Sequence, residues 1–161
     1  MKIIQSIIIF TLFLSLAACS KKENPKEHLV EIYKIALDSI MEKDKELSSD
    51  MKYIAIDMKN FDELTKQDKS EILSYFKEKY KVEVIDMSLD ELKEKGLFNS
   101  NTMSLDGVLL RIKKVDYKPF NNVLFEGSKY RSGKGSTVVE TKIHFKDGEW
   151  KVKESKETQK S

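Results

Sequence analysis

Few side-chain groupings in this 161-residue chain have the types and spacing for chemistry. It has one cysteine, Cys19, at the end of an apolar run. With no second cysteine to pair with, its thiol is a nucleophile available for covalent modification. A second grouping is Gly127-Ser128-Lys129-Tyr130-Arg131-Ser132-Gly133-Lys134-Gly135, which sets three cations beside a glycine-rich turn. A phosphate loop needs four residues between its first glycine and a Gly-Lys pair, then Ser or Thr for magnesium. Here five intervene and Gly135 takes the hydroxyl's place. The segment also joins two expected strands, so no helix N-terminus follows to hold a phosphate, and nucleotide hydrolysis is excluded. Lys129, Arg131 and Lys134 could instead contact an anionic headgroup, a teichoic-acid-like polymer or an acidic partner. The plainer alternative is a hairpin loop whose solvated charges guard a sheet edge.

The two histidines stand apart, and without further cysteines they give no zinc-ligand spacing. His28 begins the first helical pattern. His144 is out of phase with Ile143 and Phe145, which turns it to solvent or a groove. Glu140 shares its strand face, but four strand steps separate them by about 13 Å, too far for a direct hydrogen bond. Carboxylates abound, among them Asp57, Asp62, Asp86 and Asp106. Asp57 and Asp86 on adjacent strands could act as a hydrolytic pair only if they converge in a pocket. No metal site, cofactor or catalytic residue is expected, and the chain reads as a non-enzyme.

The elements that position these groups begin with an address. Met1-Lys2 is followed by an apolar run from Ile3 to Ala18. A positive start, an apolar stretch and small residues at the end make a secretory signal. At about 16 residues the run falls short of the roughly 20 that cross a bilayer as a helix. It ends Leu16-Ala17-Ala18-Cys19, which resembles the lipobox of bacterial lipoprotein precursors. That resemblance implies diacylglyceryl (palmitate-type) modification of Cys19, cleavage between Ala18 and Cys19, and a lipid anchor on the outer side of the cell membrane. Removing 1–18 leaves 143 residues, enough for one core, with 28 basic and 27 acidic side chains. From 29 to 100 there are 12 basic and 17 acidic residues; from 101 to 161, 13 and 8. The halves either make a dipolar domain or interleave and cancel. Charge runs such as residues 42–46 are solvated helix surface, and no nucleic-acid partner is expected.

Residues 19–27 read as a lipidated, flexible tether, 28–154 as one domain and 155–161 as a polar, frayed tail. Leu29, Ile32, Tyr33, Ala36, Leu37, Ile40 and Met41 recur at helical spacing and predict a helix over 28–46. Alternation predicts a strand over 53–58, with Ile54, Ile56 and Met58 on one face and Tyr53, Ala55 and Asp57 on the other. Thr65 and Asp68 open a helix over 66–80; 82–87 is a strand; Ser88 and Glu91 form a capping box for a short helix that Gly96 closes. Strands follow around 108–113, 123–130, 137–145 and 149–153, the last two joined by Asp147-Gly148, a type I′ hairpin signal. Helices first and a meander last predict an α+β fold: N-terminal helices packed on a curved, mainly antiparallel sheet.

Residues 29–153 resemble an uncharacterised group of small Gram-positive lipoproteins, through Met51-Lys52-Tyr53-Ile54-Ala55-Ile56-Asp57 and Gly127-Ser128-Lys129-Tyr130-Arg131-Ser132-Gly133. The lysine- and isoleucine-rich composition is similar to low-GC bacterial proteomes. The ending Phe145-Lys146-Asp147-Gly148-Glu149-Trp150-Lys151-Val152 resembles the last hairpin of NTF2-like and cystatin-like rolls. Together these imply a membrane-anchored binding or interaction module without catalysis. The alternatives are an immunity or accessory lipoprotein that binds an envelope protein and, third, a small envelope hydrolase.

Overall fold

The computed structural model describes residues 23–161. The signal segment, Ala18 and Cys19 lie outside the described residues. Helix α1 (Leu29–Met41) is followed by β1 (Tyr53–Asp57), α2 (Lys66–Tyr80), β2 (Glu83–Asp86), α3 (Leu89–Glu94) and a two-residue β3 (Phe98–Asn99). Four long strands complete the chain: β4 (Ser104–Lys118), β5 (Asn122–Ser132), β6 (Gly135–Lys146) and β7 (Glu149–Lys160). The expected α+β class holds. The sheet runs β2-β1-β4-β5-β6-β7, with β3 on the flank of β4. It is antiparallel from β4 onward, but β1 lies parallel to both β2 and β4. A helix between β1 and β2 makes a crossover connection, and a crossover makes neighbours parallel.

One face of the sheet carries α1 and α2 over the main core, built on Ile32, Leu37, Ile40, Ile54, Ile56, Phe76 and Phe125. The other face is covered only at the β1 end, where Leu92 of α3 meets Tyr53, Ala55, Leu105 and Leu109. The two alternating faces of β1 thus enter two different cores, and Tyr53 to Ile56 are all buried. Both capping boxes form: Thr65 with Asp68 and Ser88 with Glu91 close their helices' first turns. Gly96 (φ +71°) and the Asp147-Gly148 pair (φ +56° and +86°) take the left-handed conformations their turns require.

Several boundaries differ from those expected. Helix α1 stops at Met41 instead of running to 46, because Asp44 is left-handed (φ +43°) and residues Lys45–Ser48 form a separate 3-10 turn. The 127–135 segment is not a loop. Gly127 to Ser132 belong to β5 and only a tight turn separates them from β6. The tether expected to extend through residue 27 is fixed from Glu23: Pro25–Glu27 is a 3-10 turn capped by the Asn24 side chain, and Lys26 pairs with Glu63 at 2.9 Å. The tail is not frayed either, since β7 pairs with β6 out to Lys160, and Ser136 and Ser161 exchange backbone bonds of 3.0 and 3.1 Å. Its polar residues gave no apolar alternation because this edge strand is ordered by backbone pairing and polar contacts, among them Lys160 with Asp44 at 3.1 Å and Lys43 with the Ser155 carbonyl at 2.9 Å.

Gly107 is where β4 passes closest to β1. A Cβ there would sit 2.3 Å from the Tyr53 carbonyl oxygen, a main-chain atom with no room to move. Gly107→Ala should therefore destabilise the domain by about 2–3 kcal/mol, read as a lowered urea midpoint with unchanged m.

Candidate functional site

Lys129 is fully buried, so the segment that looked like a cationic turn is partly interior. In β5 its side chain faces α1. Its ammonium donates to the Met41 carbonyl at 3.0 Å, the Asp44 carbonyl at 2.9 Å, the Ser48 hydroxyl at 2.9 Å and the Lys43 carbonyl. These oxygens include the unpaired carbonyls at the end of α1, where the helix dipole favours a cation. Burial pulls the ammonium down to about 8, against the nearby carboxylates of Asp44, Glu157 and Glu42. Lys129 is thus unavailable to an anionic partner. Arg131 donates through one guanidinium nitrogen to the Leu47 carbonyl at 3.1 Å and to the Ser49 carbonyl, tying down the same turn. Of the three cations, Lys134 alone, in the exposed β5–β6 turn, keeps its head in solvent.

The two carboxylates of the hydrolytic reading do not converge. Asp86 is the register partner of Ile56 and shares its sheet face, whereas Asp57 points to the opposite face. Asp86 accepts the Met58 amide at 3.1 Å and Asp57 accepts the Lys59 amide at 3.2 Å. Asp106 pairs with Lys52 at 2.8 Å on the surface. His144 faces outward, as its phase requires. Partial burial, then Lys153, Lys146 and Lys151, hold its imidazole below the ordinary value. Among the described residues no cluster of three or more His, Cys, Asp or Glu could hold a metal ion.

A groove of about 690 Å³ runs along the outer side of α1. Leu29, Val30 and Ile35 give it an apolar strip, and Trp150 closes one side beside His28, with ring centroids 6.2 Å apart. Its rim carries Glu27, Glu31, Glu63, Asp68 and Glu71 against Lys26 and Lys34. Both lysines are already engaged, Lys26 with Glu63 at 2.9 Å and Lys34 with Glu71 at 2.6 Å. His28 donates or accepts at Glu23, 2.9 Å away. The groove is therefore negative with an apolar floor. The indole nitrogen of Trp150 is buried and has no hydrogen-bond partner, a departure from the usual satisfaction of buried donors. Sequence reasoning missed this site because its residues come from the first turn of α1, the loop before α2, α2 itself and β7. Only the fold brings them together.

Two further features hold the groove's walls. The Asp38 carboxylate of α1 accepts from Tyr80 at 2.9 Å and from Tyr75, and pairs with Lys79 at 2.8 Å, joining α1 to α2. On the sheet side the Ser39 hydroxyl lies 3.0 Å from that of Thr141 and donates to that of Ser155 at 2.8 Å. Comparisons with protein-family models, curated proteins and solved structures find no match.

Replacing Lys129 by methionine keeps the volume of its stem but leaves the carbonyls without a donor. Lys129→Met should cost about 3 kcal/mol of unfolding free energy. The lowered proton affinity adds a pH signature. Above about pH 8 the folded chain releases this proton while the unfolded chain keeps it up to about 10.4. Wild type should therefore gain stability relative to Lys129→Met as pH rises through that window, measured by urea unfolding at each pH.

Proposed function

We propose that this chain is a membrane-anchored extracytoplasmic lipoprotein that acts as a non-catalytic binding module, with the groove along α1 as its docking surface. One observation carries the anchor: Leu16-Ala17-Ala18-Cys19, with the chain's only cysteine, ends an apolar run four residues before Glu23. Lipid on Cys19 would supply about 0.8 kcal/mol per buried methylene, enough with two chains to hold the domain at a membrane without a spanning helix. No described helix is long and apolar enough to cross one. Cys19→Ala should move the protein from the membrane fraction to the soluble fraction or leave an unprocessed precursor. Unchanged anchoring with a diacylated N-terminus would refute the assignment.

The groove supports an envelope protein as the partner, as in an accessory or immunity role. An apolar strip rimmed by surplus carboxylates suits a basic, amphipathic segment better than an anionic polymer. The seclusion of Lys129 also weakens the case for a polyanion at the 127–135 segment. Capture from solubilised membranes should recover a stoichiometric partner with wild type. Glu31→Lys, which reverses a charge on the exposed rim, should lower that recovery at least about tenfold.

A further inference from the structure

Phe120 is 93% exposed, the most exposed of the large apolar side chains among the described residues. It sits at the tip of the β4–β5 hairpin, a three-residue connection of Pro119, Phe120 and Asn121 in which Phe120 (φ +61°) and Asn121 (φ +54°) are both left-handed. Such turns favour Asn, Asp and Gly; a phenylalanine there strains the backbone. It gains almost no burial from the domain in return. Its role therefore lies outside the domain.

What lies outside follows from where the chain enters. Glu23 to Lys26 run beside the hairpin tip, and with Tyr117 to Asn121 they enclose a mainly apolar hollow of about 360 Å³. The Lys26 ammonium stands 5.4 Å over the Tyr117 ring. The β6–β7 turn reaches the same end of the sheet, since the Phe145 amide donates to the Asn121 carbonyl at 3.1 Å. Four chain steps separate Cys19 from Glu23, so Cys19 stands no more than about 14 Å away. A lipid on Cys19 thus brings the bilayer surface within reach of this end of the molecule.

We propose that the β4–β5 hairpin tip is a second membrane contact, with Phe120 inserted at the boundary of headgroups and acyl chains. The inference rests on the anchored reading above. The neighbouring Lys118 and Lys26 are paired with Asp116 at 2.6 Å and Glu63 at 2.9 Å, so the tip carries little net charge and its contact rests on the Phe120 ring. Two contacts at one end, the N-terminal lipid and the hairpin, fix the domain's tilt, which a single point of attachment does not. The orientation keeps Lys134 and the β5–β6 turn at the far end of the sheet, away from the membrane.

The test introduces an indole at the tip. Phe120→Trp protein, full-length and purified from membranes, is reconstituted in phosphatidylethanolamine–phosphatidylglycerol vesicles with or without lipid brominated near the top of the acyl chain. Wild type supplies the Trp150 baseline. Mass spectrometry of the N-terminus reads the anchor separately. If Cys19 is unmodified, its thiol is coupled to a maleimide lipid, so the hairpin is read even where the anchor assignment fails. Insertion predicts that the emission added at position 120 shifts to the blue and is quenched at least about twofold by the brominated lipid. Unquenched emission from vesicle-held protein overturns the proposal, whether the tip then faces water or another protein. Phe120→Asn, which suits the turn, should fold as wild type does and, coupled in the same way, should lose hydrogen-exchange protection at residues 117–122.

Discussion

A single buried ammonium joins the β-meander to the end of α1 and to the turn that follows it. Lys129 belongs to the middle of the β-meander, yet it completes the hydrogen bonding of α1 and fixes the turn after it. A charge taken fully out of water costs several kcal/mol unless oxygen ligands replace its hydration. Here the ligands are mostly main-chain carbonyls, which any sequence would supply once α1 ends at that point. The cation and the helix end satisfy each other, and neither is tenable alone. Arg131, two residues on and facing the same way, extends the arrangement to the Leu47 and Ser49 carbonyls. Together they set where α1 stops, and so where its groove-forming face begins and ends.

The second constraint is β1. A strand buried on both faces must be apolar throughout and must find parallel neighbours with helices to cover them. The Tyr-Ile-Ala-Ile run meets the first demand, and α2 and α3 meet the second from opposite sides. The sheet is consequently three layers deep at the β1 end and two layers deep under α1. The outward face of β5 to β7 is left polar, with Glu126, Glu140, Lys142 and His144 upon it. The groove lies on the opposite side, where α1 is held between the Asp38 cluster and the Ser39 hydroxyl contacts.

What was legible in the sequence was whatever depends on near neighbours. The span of α2, both capping boxes, Gly96 and the Asp147-Gly148 turn came through because a cap or a turn is decided within three or four residues. The two faces of β1 came through because a period of two survives any tertiary environment. The end of α1 did not, since the left-handed turn at Asp44 is held by Lys129, more than eighty positions away. Lys129 was misplaced for a related reason: a lysine between glycines looks solvated, and only the carbonyls waiting for it reveal that it is interior. Polar β7 was read short because an edge strand ordered by backbone bonds and polar side-chain contacts leaves no apolar alternation. The groove was illegible because it is assembled from four separate segments.

The contacts of α1 also set the order in which this chain can become a folded body. Ser39 meets Thr141 and Ser155 across 102 and 116 residues, and the end of the helix waits for Lys129 across 88. The first element made is thus the last to be secured, because its resting place does not exist until the final strand is in hand. Such topology has a high contact order, and loop closure must precede most of the stabilising contacts. During synthesis α1 can meet α2 through Asp38, but its seat on the sheet is absent until β5, β6 and β7 have been made.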